Sequence, residues 1–600
     1  MKTIRYFILF CFCISVFTSA CKKELDKEFN NPQNNPNKGS LFPGLFNGML
    51  YTWKFYIQDY GEWWWELQGS GGLGIAGYSQ ISQRYITDRY AWFADFDNLT
   101  GDIAFGADGQ IWNNRFKDYY AGTGQGEGFS RGMRSWAIMK DNLPTLAGQE
   151  LDDNAVYYSL ATALKGQGAL IIVDFYNSIP YSEAFQGSDR LFFPKYDDPK
   201  EIYLSVLNDL KKTYEELPGL YAKMSTPGKA IFAQQDIAFK GDIQKWLQYI
   251  NAIRLKYAVR ISGVEDAIAK QHIQDVLSKN NLPTMDFTFP FATDHDPQSG
   301  GTWIRGLNEG WPATFIPNII MKRLNKGLST YEPGIDDPRL PVLALPTKYS
   351  NLAVTPQVGD YRGVSYDADG QKPAYVAGER YYTGTPSSGD INQVFIQNSK
   401  SLYNWATFAL NRKFPIYMMS LAEVDLLLAE VSLKNLGTTA KAPGDYIKDA
   451  VAHSTDFWYT VNALSTYEIS RPLLHPPKPS PAIVDTYATT IKTQFNAQGN
   501  LEDQMEVLMQ QKYLHLNLMG PYELWAELRR TRHPKLEPMT FNAKVMKPMP
   551  ERLKYPSSEQ STNTENYLKV RAEDNFTSPI FWVPAAKRNV KPYWDNYNYQ

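Results

Sequence analysis

Apolar residues recur along the chain at the three- and four-residue spacing of a helix, in blocks opened by polar caps and closed by Gly or Pro. In "DDPKEIYLSVLNDLKKTYEELPG", Asp198 stands as N-cap, Pro199 as first helical residue and Glu201 three positions after the cap. Ile202, Val206, Leu210, Tyr214 and Leu217 share one face, and Pro218-Gly219 is the expected stop. "GDIQKWLQYINAIRLKYAVRIS" repeats the pattern, with Asp242 as cap and Ile243, Trp246, Leu247, Ile250, Ile253 and Tyr257 as the stripe. "SLAEVDLLLAEVSLKNLG" predicts a third helix, with Leu421, Val424, Leu428 and Val431 inward and Gly437 as terminator. "LEDQMEVLMQQKYLHLNLMG" and "PYELWAELRRTRHP" predict two more, broken at Gly520-Pro521, and "VYYSLATALKGQGALIIVDFYN" reads as a more fully buried one.

These segments arrive as pairs, which suggests stacked helix hairpins, although the letters show no fixed-period repeat. Strand signals are short and scattered, as in "FTFPF" and "FPIYMM". Between about 281 and 415 the composition shifts to Gly, Pro, Asp and aromatics, and helix patterns thin out. Pro472 to Pro481 and the tail beyond Pro534 are similarly loop-rich. Long loops on a rigid scaffold are usually the working surface. The expected organisation is a signal segment over 1–20, a flexible Asn- and Pro-rich tether over 21–40, and one domain over 41–600 carrying a loop-rich, ligand-facing insertion at about 281–415.

The N-terminus sharpens this picture. Lys2 and Arg5 precede an apolar stretch from Tyr6 to Phe17, then small residues Thr18, Ser19 and Ala20, then Cys21. That is the pattern of a secretory signal peptide, too short and wrongly flanked for a spanning helix. The chain has 3 cysteines, and Cys11 and Cys13 lie inside the apolar stretch. Cleavage before Cys21 would leave one thiol, on the first mature residue, so no internal disulfide is expected. A terminal Cys after small residues resembles a bacterial lipobox, with Thr18 where Leu or Val is usual. Cys21 is therefore the expected acylation site, and two or more acyl chains anchor a protein stably to a membrane.

Lys and Arg total 61 against 63 Asp and Glu, with no basic run, so nothing points to nucleic acid. Gly72, Gly74 and Gly77 form a G-x-G-x-x-G match, but "EWWWELQGS" before it and "GYSQISQRY" after it are not the strand and helix that a dinucleotide site needs. The 6 histidines are dispersed, and neither metal nor cofactor chemistry is expected. "DADG" at Asp367 begins like a calcium loop but lacks the Glu at position twelve. Paired carboxylates for glycoside cleavage remain open, with Glu62, Glu66, Asp95, Asp294 and Glu309 in aromatic surroundings.

What does recur is Trp and Tyr beside glycine. Aromatic residues make up 14% of the chain. Trp63, Trp64, Trp65, Tyr78, Tyr90, Trp92, Trp303 and Trp311 are the candidate ligand-binding residues, with Trp112 in a similar setting. Flat, amphipathic rings pack on the C–H faces of sugars or against peptides, and polar neighbours hydrogen-bond to hydroxyls. Three consecutive tryptophans cannot share one environment in either helix or strand, so part of that indole surface needs a second partner. Binding is better supported than catalysis; a lipid-anchored glycoside hydrolase or lyase is the alternative.

Five segments also carry a collinear resemblance. "IQKWLQYINAIRLKYAVRIS" resembles the "KW…N-x-L-x-x-R-x-A-x-R-I" helix of the SusD/RagB outer-membrane lipoproteins of Bacteroidetes, and "VDFYNSIPYSEAF" is similar to their "L-Y-G-D-I-P-Y-S-E-A". "LAEVDLLLAEVSLK" is similar to "A-E-V-x-L-x-x-A-E". "QQKYLHLNLMGPYELWAELRRTRHP" and "PERLKYPSSEQSTNTENY" resemble the family's C-terminal signature. With the lipobox, the likeness runs from Cys21 to about Tyr567. It looks most like the SusD-like subgroup, described as starch-binding and outer-membrane-associated. The resemblance implies a mainly α-helical fold of about four tetratricopeptide-like helix pairs, with a large irregular region and few short strands. It implies no catalysis and no cofactor. It also implies a surface lid on a SusC-like TonB-dependent transporter that captures a glycan or peptide for import. Ligand residues vary within the family, so none is carried over to this chain.

Overall fold

The protein is described by a computed structural model over residues 38–56, 133–289, 359–363 and most of 316–346 and 401–536, together with 540–541, 545–546 and 551–591 except 576. Helices dominate. In chain order they are α1 (Phe42–Tyr56), α2 (Arg134–Asn142), α3 (Gly148–Tyr176), α4 (Pro199–Lys223), α5 (Thr226–Gln235), α6 (Ile243–Ile261) and α7 (Asp266–Ser278). After them come α8 (Asn318–Leu324), α9 (Leu421–Leu433), α10 (Pro443–Leu464), α11 (Pro481–Asn496), α12 (Leu501–Leu516) and α13 (Pro521–Thr531). The tail adds α14 (Ser557–Thr562) and α15 (Thr564–Val570), where the sequence predicted loop.

The helices pack as hairpins: α3 with α4, α6 with α7, α9 with α10 and α11 with α12. Successive pairs then stack through α4 on α6, α6 on α9 and α10 on α11. The pairing follows from the caps and stripes. Asp198 accepts from the Lys200 and Glu201 amides at the start of α4, and Asp242 accepts from Gln244 and Lys245 at the start of α6. All six stripe positions of α6 are buried, from Ile243 to Tyr257. A fully buried apolar side chain contributes about 1.5–3 kcal/mol, so a six-residue stripe outweighs the modest propensity of a helix so rich in Ile, Tyr and Trp.

α3 satisfies the length and composition of a membrane span, but 83% of its apolar window is buried inside the protein. It is the central core helix, about 43 Å long at 1.5 Å per residue. Gly166 lets α4 approach, since a Cβ there would lie 2.9 Å from Val206 Cγ1. Five tryptophans, Trp246, Trp405, Trp458, Trp525 and Trp582, are fully buried.

Two expected helix ends move. Pro218-Gly219 does not stop α4, which continues to Lys223. Leu217 is buried, Leu220 and Tyr221 pack on the core, and Tyr221 meets Phe232 of α5 edge-on at 6.2 Å. That packing offsets the hydrogen bond Pro218 cannot donate. α9 ends at Leu433, with Asn435 rather than Gly437 in the left-handed region at φ 53. Gly437 serves close approach instead, because a Cβ would sit 2.9 Å from Leu277 of α7. Val424 and Val431 are buried as expected, whereas Leu421 and Leu428 are half-buried.

The two short strand signals find each other. β1 (Phe287–Phe289) pairs antiparallel with β2 (Ile416–Met419), and Phe287 faces Met419. The Leu421 amide donates to Asp286 Oδ1 at 2.9 Å beside them. This ribbon closes the neck of the segment between 289 and 416, so the insertion leaves and rejoins the helical stack at one place. Within it, Arg339 is fully buried, held by both oxygens of Asp337 (2.8 and 2.6 Å), by Ser454 of α10 (3.0 Å) and by Gln511 of α12 (2.8 Å). Part of the insertion is thus cemented to the last two helix pairs.

The C-terminal tail folds back onto the end of α3. Leu553 N donates to Phe175 O, Tyr555 Oη to Ser178 O, Phe581 N to Asn177 Oδ1 and Trp582 Nε1 to Asp174 Oδ1. Asn177 itself has φ 68. It stands where the similar family segment has Gly, and Asn is among the side chains that tolerate positive φ best.

Candidate functional site

The aromatic candidates Trp63, Trp64, Trp65, Tyr78, Tyr90, Trp92, Trp303 and Trp311 lie outside the described residues, as do Cys21, the carboxylates Glu62, Glu66, Asp95, Asp294 and Glu309, and Trp112. What the structure does place is the chemistry of the motif helices, and it brings their charged residues together inside the stack.

Ten side chains form one continuous ionic chain across α3, α6, α9, α12 and α13. Arg260 of α6 contacts Asp174 of α3 and Glu523 of α13, and lies 3.5 Å from Glu527. Lys256, one turn earlier, bridges Glu423 of α9 at 2.8 Å and Glu523 at 3.3 Å. Lys512 of α12 lies 3.3 Å from both Glu523 and Glu527. Arg530 grips Glu430 with two parallel bonds of 2.6 and 2.7 Å and also contacts Glu527, while Lys434 reaches Glu430 at 2.6 Å. The tally is five carboxyl groups and five basic groups, so the buried charge balances.

Electrostatics follow geometry. Burial opposes ionisation of Glu523, but Arg260, Lys256 and Lys512 outweigh it and hold the carboxyl well below the usual range. Glu430 is likewise held low against burial by Arg530 and Lys434. Burial pushes Asp174 up, with Arg260 and the Tyr203 hydroxyl pulling the other way. Arg529 stacks on Trp525 at 3.5 Å and donates to the Asp174 and Glu551 carbonyls, and burial lowers its pKa to about 9. The "SIPYSEAF" segment is also structural. Asp197 accepts from the Tyr181 and Ser182 amides and the Ser182 hydroxyl, and Glu183 accepts from Lys195 N. The motif residues therefore hold helices and loops in place. Among the described residues no three His, Cys, Asp or Glu gather as a metal site.

A solvent-open cleft of about 280 Å³ lies where α8 of the insertion meets α11 and α12. Lys322, Arg323 and Lys326 line one wall, Gln494 and Gln510 the other, over an apolar floor that includes Ile319 and Leu514. None of these residues was singled out from the sequence. The signal was "MKRLNKG", three bases within five residues in a loop-rich region, a pattern that a solvated surface turn would also give.

The fold and the buried motif residues define the class, and comparison with known proteins agrees. Residues 127–556 match the SusD-like family, described as starch-binding and associating with the outer membrane. The match covers more than half of the chain, which belongs to this family of outer-membrane-associated binding proteins. Among solved structures it is similar to a chitin-binding SusD homologue from Flavobacterium johnsoniae, at 19% identity and TM-score 0.59, covering 91% of this chain and 100% of that one. A SusD homologue from Bacteroides fragilis NCTC 9343 has 19% identity and TM-score 0.56, covering 79% and 95%. A SusD-like protein from Bacteroides thetaiotaomicron VPI-5482 has 17% identity and TM-score 0.56, covering 90% and 98%. At these identities the likeness is one of fold. No curated protein matches the chain.

Proposed function

We propose that the protein captures oligosaccharides outside the cell and delivers them to a SusC-like TonB-dependent transporter in the outer membrane, tethered there by acylated Cys21. The observation that carries this reading is the match of residues 127–556 to a family described as starch-binding and outer-membrane-associated. The chitin-binding relative from Flavobacterium johnsoniae supports a saccharide over a peptide as cargo. The aromatic residues from Trp63 to Trp92, with Trp303 and Trp311, are the ligand platform in this reading, since stacked rings bind sugar faces without charge.

Two measurements test it. Calorimetry with maltooligosaccharides and chitooligosaccharides should give saturable binding of at least one series, weakened at least tenfold by one of the single changes Trp63→Ala, Trp64→Ala, Trp92→Ala, Trp303→Ala or Trp311→Ala. Affinity capture from detergent-solubilised membranes should co-purify a large β-barrel. Silence across a broad glycan panel would overturn the cargo, and capture without a barrel would overturn the partner.

A further inference from the structure

The helical stack is rich in aromatic rings, and nearly all of those described are buried or half-buried. Two adjacent ones are not. Phe192 is 67% exposed and Phe193 66%, and no other described aromatic side chain is exposed. They stand in the loop between Ala184 and α4, and the backbone of that loop is fixed. Asp189 N and Leu191 N donate to Gln186 O (3.0 and 3.2 Å), and Arg190 N donates to Gly187 O at 3.1 Å. On the other side of the rings, Phe193 O accepts from Asn566 of α15 at 2.9 Å, Pro194 O accepts from Asn563 at 2.8 Å, and Lys195 N donates to Glu183 at 2.9 Å. A loop held on both sides of its apolar residues loses little freedom when they are covered. Leu568, two residues past Asn566 on α15, adds a third exposed apolar side chain at 55%.

A ligand that hydrogen-bonds finds few groups here to answer it. The amides of Asn563 and Asn566 already donate to the loop's carbonyls, and Asn566 Oδ1 accepts from Lys569. Lys195 is engaged as well, 3.6 Å from Asp197 and 4.0 Å from Glu183. Phenylalanine, unlike Trp or Tyr, brings no polar tip of its own. Such a surface suits a medium that is apolar and needs no hydrogen bonds, as just below the headgroups of a bilayer. The family to which the chain belongs is described as associating with the outer membrane. Reach allows the contact. Gly39 N donates to Glu150 at the start of α3 (3.2 Å), and the loop lies against the tail that covers the end of α3. The stretch from Cys21 to Lys38 reaches about 55–60 Å when fully extended, against about 43 Å for the length of α3.

We propose that Phe192 and Phe193 insert into a lipid surface and form a second membrane contact beside the acyl anchor. Two rings alone bind a bilayer weakly and reversibly. The anchor makes their insertion an event within one tethered molecule, which raises the occupancy of a weak contact. The contact then sets which side of the helical stack is turned to the membrane. The inference rests on the reading of the chain as tethered through Cys21 and adds an orientation to it.

The test places an environment-sensitive fluorophore on Phe192→Cys in the full mature chain. Acylation occupies Cys21, so the new cysteine is the only free thiol. On phosphatidylcholine vesicles that carry no other protein, emission should rise and shift to the blue, and lipids brominated in their acyl chains should quench it. The same label on Ile469→Cys, an equally exposed site (69%) after α10, should stay unquenched. Adding Phe193→Ser to the chain labelled at 192 should remove most of the quenching, and circular dichroism should be unchanged because both rings are exposed. High salt should leave the signal in place, since no ion pair is invoked. The proposal is overturned if the chain floats with the vesicles but the label at 192 is not quenched, if the label at 469 is quenched as strongly, or if Phe193→Ser changes nothing. It is also overturned if salt abolishes the signal, or if shielding appears only in native outer membranes, where a protein would be the occupant. A chain that fails to float refutes the acyl anchor instead. The loop is then read on a chain carrying Cys21→Ser and an N-terminal histidine tag, held on the same vesicles by nickel-chelating lipid. Quenching there upholds the insertion, and its absence overturns it.

Discussion

Arg530 sits where two buried carboxylates, Glu430 and Glu527, converge, and its own side chain is 3% exposed. Replacing it by Met keeps the apolar stem and removes one cation from a balanced set of ten charges. Glu430 then loses two hydrogen bonds of 2.6 and 2.7 Å but keeps Lys434 at 2.6 Å. Glu527 keeps Lys512 at 3.3 Å and Arg260 at 3.5 Å. Breaking one partner of a buried pair costs about 3–5 kcal/mol, and the surviving contacts place Arg530→Met near the lower end, about 3 kcal/mol. Glu430→Gln alone leaves Arg530 on Glu527 and should cost about 2 kcal/mol. The double variant restores neutrality and should cost about 2–3 kcal/mol rather than the sum of about 5, a coupling of at least 2 kcal/mol. Urea unfolding followed by tryptophan fluorescence reads this as midpoint shifts at constant slope. Costs that simply add, or a single change costing under about 1 kcal/mol, would refute the balanced-charge account.

Two other expectations follow from single residues. His515 is fully buried between the Ser420 and Ser454 hydroxyls, and burial, then Arg339 and Lys512, lower its pKa to about 3. Between pH 6.5 and 3 the unfolded chain takes up a proton that the folded one refuses, so this residue's contribution is full at pH 7 and shrinks on acidification. The stability gap between wild type and His515→Gln should narrow by about 3 kcal/mol from pH 7 to pH 4; a gap constant over that range would sink the assignment. Asn177 combines φ 68 with bonds to Glu573 (3.0 Å) and to Phe581 N (2.8 Å). Asn177→Gly should cost about 1–2 kcal/mol for the lost bonds and Asn177→Ala about 1 kcal/mol more for strain, the reverse order contradicting the backbone argument.

The scaffold was legible because its signals are local. Caps at Asp198 and Asp242 and the stripe of α6 lie within one turn or one helix of each other, and the structure reproduces them. The stop at Pro218 failed because its outcome is decided by packing against the core and against α5, which the local helix-stop pattern does not contain. The strand signals were seen singly, but their pairing across more than a hundred residues was not, since register is a long-range property. Motif charges such as Glu423, Glu430 and Arg530 carried the resemblance while partners such as Lys256 stayed hidden, because the Lys256–Glu423 and Arg530–Glu430 pairs each join different helices. The cleft was illegible for the same reason. Lys322 and Gln494 share a cleft only after α8 docks on α11, and nothing in the sequence links them.

The tail that folds back over α3 sets an order of events during synthesis. Asp174 and Asn177 wait for Trp582 and Phe581, partners 408 and 404 residues later in the chain. At about 5–20 residues per second, that interval lasts roughly 20–80 s. Throughout it the end of the central helix holds a buried-type carboxyl and open hydrogen-bonding groups without their final partners. The first helix pair therefore cannot reach its final state before the last part of the chain emerges. The two ends of the fold are thus completed together, and loss of the final segment would unsettle the oldest part of the fold as well as the newest.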